Sequence, residues 1–394
     1  MISVEEALDL VLESGFSLLE TETLYINQCL YRCLANGIQA PMDLPKFRES
    51  SMDGFALCLH KSSLYSIVDE VKAGDSKNPI LKQGECVRIF TGAVVPDTAN
   101  AVIMQEKTLR KGNNLEVKIA VKEGQSIRTV GSQVKKGSYP LQKGHVLNAP
   151  GLAFLQSLGI SKVEVFRLPK VSIILTGNEL IAQNESLSRG KIYESNSILL
   201  KSALYKQGIE VQDTFFSEDN LETTIEYVNK ALSNSDVIII SGGISVGDYD
   251  FVKEALKRLD IKEIFYKVRQ KPGKPLFFGI KEEKFIFALP GNPASTLTTF
   301  YVYVLPLLLK LKGSKTKGLV RLSVPISHDF SSNEPRALFL KAFVESNAVT
   351  ILDRQDSSML VSFSKANALV YIKEQIKSIR KGDLVETLIL PYPI

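Results

Sequence analysis

Residues Asp236–Asp250 read DVIIISGGISVGDYD. Val237, Ile238, Ile239 and Ile240 form an unbroken apolar run rich in β-branched side chains. Such a run is the pattern of a parallel strand buried on both faces. Ser241, Gly242 and Gly243 follow at the expected C-terminal end of that strand, which is where open α/β sheets bind ligands. Gly242, Gly243 and Gly247 let a ligand approach the backbone, and Ser241 and Ser245 supply hydroxyls. Asp248 and Asp250 place two carboxylates ahead of a predicted helix, Phe251–Leu259. A plain glycine turn with Asp250 as helix N-cap would look the same locally. KPGKP (Lys271–Pro275) and LPGNPAS (Leu289–Ser295) add two more punctuated loops, each attached to its own strand-like run. Three such loops in one α/β unit point to a common site.

The neighbouring segments extend that unit. Val171–Leu175 and Glu210–Phe215 read as further strands, and Ser197–Gln207 and Leu221–Leu232 as helices. Leu221, Ile225, Val228 and Leu232 make an apolar stripe at helical spacing. Alternating strands and helices predict a parallel, doubly wound sheet. The Val171 strand ends in TGNEL (Thr176–Leu180), which puts Glu179 at a second strand end. Lys281–Lys284 is expected to link two strands in a hairpin. Pro293–Lys312 is expected to close the domain as a helix, kinked or ended at Pro306.

Toward the N-terminus, Ser3–Glu6 fits a capping box, and Val4, Ala7, Leu8, Val11 and Leu12 share one helical face. A second helix is expected over roughly Glu22–Leu34, before the proline-marked boundary APMDLP (Ala40–Pro45). Short strand-like segments then predict a small β domain: Gly54–Leu59, Glu85–Thr91, Ala101–Gln105 and Leu115–Ile119. Asp53-Gly54, taken alone, is a turn signal. A helix over Pro150–Leu158 returns the chain to its first helical region, which makes that domain discontinuous. After Gly318 the helices are expected to stop. The strand candidates Leu319–Pro325, Ala337–Glu345, Ala348–Leu352, Ala368–Lys373 and Leu384–Leu390 suit a small barrel or sandwich.

Composition narrows the function classes. Of 394 residues, 44% are hydrophobic and 23% charged, as in ordinary globular proteins. The formal net charge of +5 permits anionic ligands, yet no basic run is interleaved with aromatics, so nucleic acid is not indicated. Cys29, Cys33, Cys58 and Cys86 form no CxxC pair, and Cys29 and Cys33 read as core thiols. His60, His145 and His328 are too dispersed for a histidine metal site. The N-terminus is acidic and amphipathic, unlike a signal peptide, and the apolar run Phe300–Leu309 is too short to span a bilayer. A cytoplasmic protein is expected.

Carboxylates collect at loop positions: Asp53, Glu179, Asp219, Asp248 and Asp250. Hard oxygen ligands at strand ends suit Mg²⁺, which commonly takes one or two carboxylates plus substrate phosphate. Lys267, Lys271 and Lys274 are positioned to form a positive cradle for a polyanion. Together these groups suit cleavage of a phosphoric anhydride. Asp219 could instead cap the Leu221 helix. No GxxxxGK[ST] loop is present.

DLPKFRESSMDGFA (Asp43–Ala56), RIFTGAVVP (Arg88–Pro96), AVIMQE (Ala101–Glu106), TGNEL, SGGISVGDYDFVK (Ser241–Lys253), KPGKPLFFG (Lys271–Gly279) and LPGNPAST (Leu289–Thr296) occur in that order. Together they resemble the signature segments of the MoeA family, the molybdopterin molybdenumtransferases, whose animal relative is the gephyrin E-domain. The resemblance implies a multidomain α/β plus β fold. A discontinuous N-terminal helical domain covers 1–40 plus 134–166 and a β domain covers 41–133. A doubly wound molybdopterin-binding α/β domain covers 167–316, and a C-terminal β-barrel covers 317–394. It also implies a reaction: molybdate and adenylylated molybdopterin, with Mg²⁺, give AMP and molybdenum on the pterin dithiolene.

By motif position, Asp53, Glu179, Asp250 and Lys271 match catalytic residues, with Glu179 and Asp250 toward the metal. Thr91, Arg128, Asp219, Ser241, Gly242, Gly243, Lys267, Lys274, Pro290, Pro293, Arg336 and Ser357 match substrate-binding positions. Gln133 stands where an acidic residue is usual, Asn178 where Asp is common, and Lys341 where Arg is usual. The resemblance further implies a homodimer with the site across subunits, and contact with the pathway's adenylyltransferase. That adenylyltransferase is the competing enzymatic reading, because it shares the α/β domain and the SGG loop. The SSMDGFA segment (Ser50–Ala56) and the C-terminal β domain argue against it. A non-catalytic scaffold is the other reading, and no partner-binding tail or linker supports it.

Overall fold

The computed structural model describes residues 1–14, 18–244 and 251–392. The apolar runs of the α/β segment lie side by side in one sheet. β1 (Val171–Thr176), β2 (Val211–Ser217), β3 (Val237–Ser241), β4 (Lys262–Tyr266), β5 (Phe277–Lys281) and β6 (Lys284–Leu289) pair in the order β2-β1-β3-β6-β5-β4. β2, β1, β3 and β6 run parallel. β5 pairs antiparallel with both of its neighbours. The expected all-parallel sheet is therefore mixed. The cause is the predicted hairpin itself: two residues between β5 and β6 can join only antiparallel strands.

β1, β3 and β6 bury both faces, while β2, at the sheet edge, stays largely half-buried. Ile173, Ile239 and Phe287 pack on one side with α1 (Asn196–Tyr205) and the helical run Pro293–Leu311. Ile174, Ile238, Ile240 and Ile286 pack on the other, against α2 (Leu221–Asn234) and α3 (Phe251–Arg258). Period-two alternation thus feeds two apolar layers, which is why the runs 237–240 and 285–289 show no polar gap. Each fully buried side chain of this kind stabilises by about 1.5–3 kcal/mol relative to exposure.

Pro306 does not end the closing helix. Phe300–Val304 adopts a π-helical turn, and α-helix resumes over Leu305–Leu311. The widened turn accommodates a residue with no N–H to donate. The whole run Pro293–Leu311 is long and apolar enough to cross a membrane, but it is almost wholly buried inside the fold.

Near the N-terminus one expectation changes. The capping box at Ser3 and Glu6 forms, and Val4, Ala7 and Val11 enter the core. The second predicted helix, Glu22–Leu34, is absent. Thr21–Tyr25 is a strand paired antiparallel with Lys162–Phe166, followed by a single 3₁₀ turn. Thr21, Thr23 and Tyr25 favour extended backbone, and a partner strand from far along the chain decides the outcome. Cys29 and Cys33 are nevertheless fully buried free thiols.

In the C-terminal segment, Gln270–Lys271, Ala337–Glu345, Ala368–Ile372, Leu384–Ile389 and Val320–Pro325 pair in that order, and Ala348–Ile351 joins Ala337–Glu345. An isolated bridge links Ile326 to Val349. A four-residue helix, Leu360–Phe363, interrupts the strands. All of this lies in one compact unit: residues 1–35, 144–152 and 162–394. The second unit, residues 36–143 and 153–161, holds a six-stranded sheet of its own. In it Gly54 begins a strand, as the Gly54–Leu59 segment predicts, and not the turn that Asp53-Gly54 signals when taken alone. A Cβ there would fall 1.8 Å from the Ile103 carbonyl oxygen, so only glycine permits this close antiparallel pairing with Ala101–Met104.

Candidate functional site

In the order β2-β1-β3 the chain leaves β1 to one side and returns past it to the other. The crevice between β1 and β3 is therefore a topological switch point. A cleft of about 580 Å³ opens there, at the C-terminal ends of β1, β3 and β6. Its lining includes Glu179, Asp219, Ser241, Gly242, Gly243, Pro290 and Pro293, all predicted site residues. Gly242 and Gly243 have φ of 99° and 58°. A Cβ on Gly242 would lie 2.4 Å from the Thr176 carbonyl oxygen, and one on Gly243 would lie 2.8 Å from Thr176 Oγ1. The double glycine thus lets two strand ends touch, as well as giving access to a ligand.

Asp219 and Asn178 tie two rims together. Asp219 N–H donates to Asn178 Oδ1 at 3.0 Å, and Asn178 N–H donates to Asp219 Oδ2 at 3.1 Å. Asp219 is not the helix cap. Asn220 is, with its Oδ1 accepting from Thr223 N–H at 3.1 Å. Glu179 is exposed on the rim. Asp250 lies outside the described residues, together with Ser245, Gly247 and Asp248. Among the described residues no three metal-ligating side chains cluster.

The three lysines are not gathered at this cleft. Lys267 has a positive φ of 73° and lies over the Tyr266 ring at 4.7 Å. The Lys274 carbonyl accepts from Val268 N–H at 3.0 Å. Lys271 pairs in register with Leu338 of the C-terminal sheet, and its ammonium lies 3.5 Å from Glu334. Arg336 clasps the same carboxylate through Nε at 2.7 Å and Nη2 at 3.0 Å. Arg336 first, and Lys271 after it, holds the Glu334 pKa down at about 2. Glu334 was missed from sequence: its two partners are named by motif, but nothing in the spacing says that they share a counter-ion. Ser357 closes the LPGNP turn. Its carbonyl accepts from Ala294 N–H at 3.0 Å and Ser295 N–H at 3.3 Å, and its Oγ accepts from Asn292 at 2.8 Å. Ser358, beside it, reaches the cleft.

The second unit brings Asp53 and Thr91 together. Asp53 Oδ1 accepts from Thr91 N–H at 2.7 Å and from Thr91 Oγ1 at 2.9 Å. These bonds lower the carboxyl pKa below the ordinary range, with Arg88 adding a smaller pull. Arg128 pairs with Glu49 at 3.6 Å across the short antiparallel ladder Glu49–Ser50 with Ile127–Arg128.

Three family models match the chain in order. The MoeA N-terminal region (domain I and II) matches residues 2–159. A probable molybdopterin binding domain matches 172–310, and the MoeA C-terminal region (domain IV) matches 323–390. The chain belongs to the MoeA family. The molybdopterin molybdenumtransferase of Staphylococcus epidermidis is 32% identical, covering 98% of this chain and 95% of the relative. That of Haemophilus influenzae is 33% identical, covering 98% of each. The crystal structure of the molybdopterin biosynthesis MoeA protein of Pyrococcus horikoshii superposes with a TM-score of 0.84 at 30% identity, covering 99% of this chain and all of that one. Membership assigns the multidomain fold with a central α/β domain anticipated from the motifs. Of the residues that sequence reasoning missed, Thr176, Asn196 and Ser358 line the cleft, whereas Glu334 lies with Lys271 and Arg336.

Proposed function

We propose that this MoeA-family chain is a molybdopterin molybdenumtransferase of molybdenum cofactor biosynthesis. Molybdate and adenylylated molybdopterin are its substrates, the phosphoanhydride is cleaved, AMP leaves, and the dithiolene sulfurs take the metal. The observation that carries this reading is the switch-point cleft, which collects seven motif-matched residues in a probable molybdopterin binding domain flanked by the MoeA N-terminal and C-terminal regions. The adenylyltransferase reading loses support because the N-terminal and C-terminal family regions are both present.

The residues suit the chemistry. Phosphoryl cleavage depends mainly on positioning and on charge stabilisation. Lys271 and Arg336 supply cations on adjoining C-terminal strands, and Lys274 supplies another from the KPGKP turn. Asp219 and Asn178 hold the TGNEL rim in place, and Ser357 holds the LPGNP turn. An adjoining hollow of about 490 Å³, lined by Ile181, Ile198 and Phe216 among others, offers an apolar wall to a heterocycle. Mg²⁺ fits the donor set: an exposed rim carboxylate, Glu179, with Asp250 as the second by motif, is the one or two carboxylates such an ion takes. When bound, Mg²⁺ would offset phosphate charge during anhydride cleavage.

The same reading includes a cytoplasmic homodimer whose site draws Asp53 and Thr91 from one subunit and the α/β cleft from the other. It also includes contact with the adenylyltransferase that supplies the substrate. The test is a turnover assay with adenylylated molybdopterin, molybdate and Mg²⁺. AMP release that requires molybdate supports transfer. Consumption of molybdopterin with ATP instead, or no turnover, rejects it. Replacing molybdate by tungstate in the same assay tells which oxyanion is delivered.

A further inference from the structure

Two polar atoms of the cleft residues have no partner among the described residues: Thr176 Oγ1 and Asn196 Oδ1. Neither atom is exposed to solvent. Native folds leave few buried polar atoms without a partner, so each such atom calls for one. The orientation of Asn196 is set by its other end. Its Nδ2 donates to the Gly291 carbonyl at 2.7 Å and to Ser241 Oγ at 2.9 Å. A carbonyl can only accept, so the amide nitrogen must be the atom facing Gly291, and Oδ1 is left as a pure acceptor. Asn196 thereby ties the end of β3 to the LPGNP turn while presenting an oxygen that needs a donor. Thr176 ends β1 and is 5% exposed. Its hydroxyl lies beneath the double glycine, where a Cβ on Gly243 would approach to 2.8 Å.

The geometry points to Thr176 and Asn196 as the pair that reads the donor-bearing half of the substrate. This rests on the molybdenum-transfer reading above. Molybdate at neutral pH and the ionised phosphates of adenylylated molybdopterin offer acceptors only, so they cannot satisfy Asn196 Oδ1. A ring N–H or sugar O–H of the nucleotide or the pterin can. The cationic residues then serve the phosphates, Asn196 Oδ1 takes a donor of the organic part, and the Thr176 hydroxyl, which both donates and accepts, joins it in aligning that part.

Thr176→Val is the decisive variant, because it keeps the shape and removes only the hydroxyl. Turnover of adenylylated molybdopterin, binding of AMP and binding of molybdate are each measured beside urea unfolding. If the hydroxyl serves the substrate, removing an unpartnered buried group leaves stability equal or higher, and KM rises roughly three- to tenfold. Molybdate affinity stays unchanged. A parallel fall in AMP affinity places the contact on the nucleotide, and unchanged AMP affinity with raised KM places it on the pterin. Asn196→Ala loses the tie to Gly291 as well, so it lowers stability. At matched folded fraction it should still raise KM by at least as much. Lower stability with unchanged KM in Thr176→Val would show a bond made inside the protein and overturn the inference. Equal weakening of molybdate and substrate would show general distortion and also overturn it. A wild-type chain that turns over nothing rejects the transfer reading instead.

Discussion

Glu334→Gln should weaken the fold and strengthen anion binding at once. The Glu334 side chain is only 15% exposed, with Arg336 bidentate on it and Lys271 at 3.5 Å. Arg336 is the main reason its pKa falls from the ordinary 4.5 to about 2. At 1.36 kcal/mol per pKa unit, the ionised carboxylate contributes about 3 kcal/mol at pH 7. Glutamine keeps the shape and one acceptor, so the expected loss is on the order of 2 kcal/mol. The folded pKa is the lower one, so the contribution is complete above about pH 4.5 and is lost as pH falls through about 2. Urea unfolding of both proteins at pH 7 and pH 3 is the assay, and because the carboxylate's contribution falls by about 2 kcal/mol between those pH values, the gap between them should all but close at the lower pH. Meanwhile Lys271 and Arg336 lose their internal counter-ion. AMP should then bind several-fold tighter, most clearly at low salt. A variant as stable as wild type at pH 7, or a gap that does not narrow at pH 3, would refute the reasoning.

Three further outcomes are expected. Glu179→Gln should shift the Mg²⁺ requirement for AMP release upward by roughly tenfold or more with the circular dichroism spectrum unchanged, because an amide is a poorer ligand for a hard cation; a superimposable Mg²⁺ curve removes Glu179 from the metal. Asn220→Ala should cost about 1 kcal/mol in urea unfolding as a lost N-cap. Asp219→Ala should instead raise KM with a smaller loss of stability, and the reverse pattern would restore Asp219 as the cap. Asp53→Ala and Glu179→Ala should each be inactive alone. Refolded together in equal amounts they should regain roughly a quarter of wild-type activity if the site spans a two-fold dimer, and none if each chain builds its own.

What could be read from the sequence follows from range. The strands of the central sheet and the C-terminal segment were readable because burial on both faces, or on alternate faces, writes a pattern within five to nine residues. The Glu22–Leu34 error has the opposite origin. Thr21–Tyr25 extends because Lys162–Phe166 lies beside it, and no local window contains both strands. The same holds within the site. SGG and LPGNP are visible as loops, but that Asn196 joins Ser241 to Gly291 depends on three segments meeting. Asp53-Gly54 shows the limit most clearly. By local propensity it is a turn, yet the structure uses the glycine to pair closely with the strand of Ile103 and the aspartate to bind Thr91, thirty-eight residues on. A motif resemblance could pair Asp53 with Thr91 because it records which distant residues act together. Periodicity could not, because it records only what a segment does with its nearest neighbours. The two buried cleft atoms left without partners among the described residues, Thr176 Oγ1 and Asn196 Oδ1, belong to neither record. They emerge only when the donors of the described residues have been assigned.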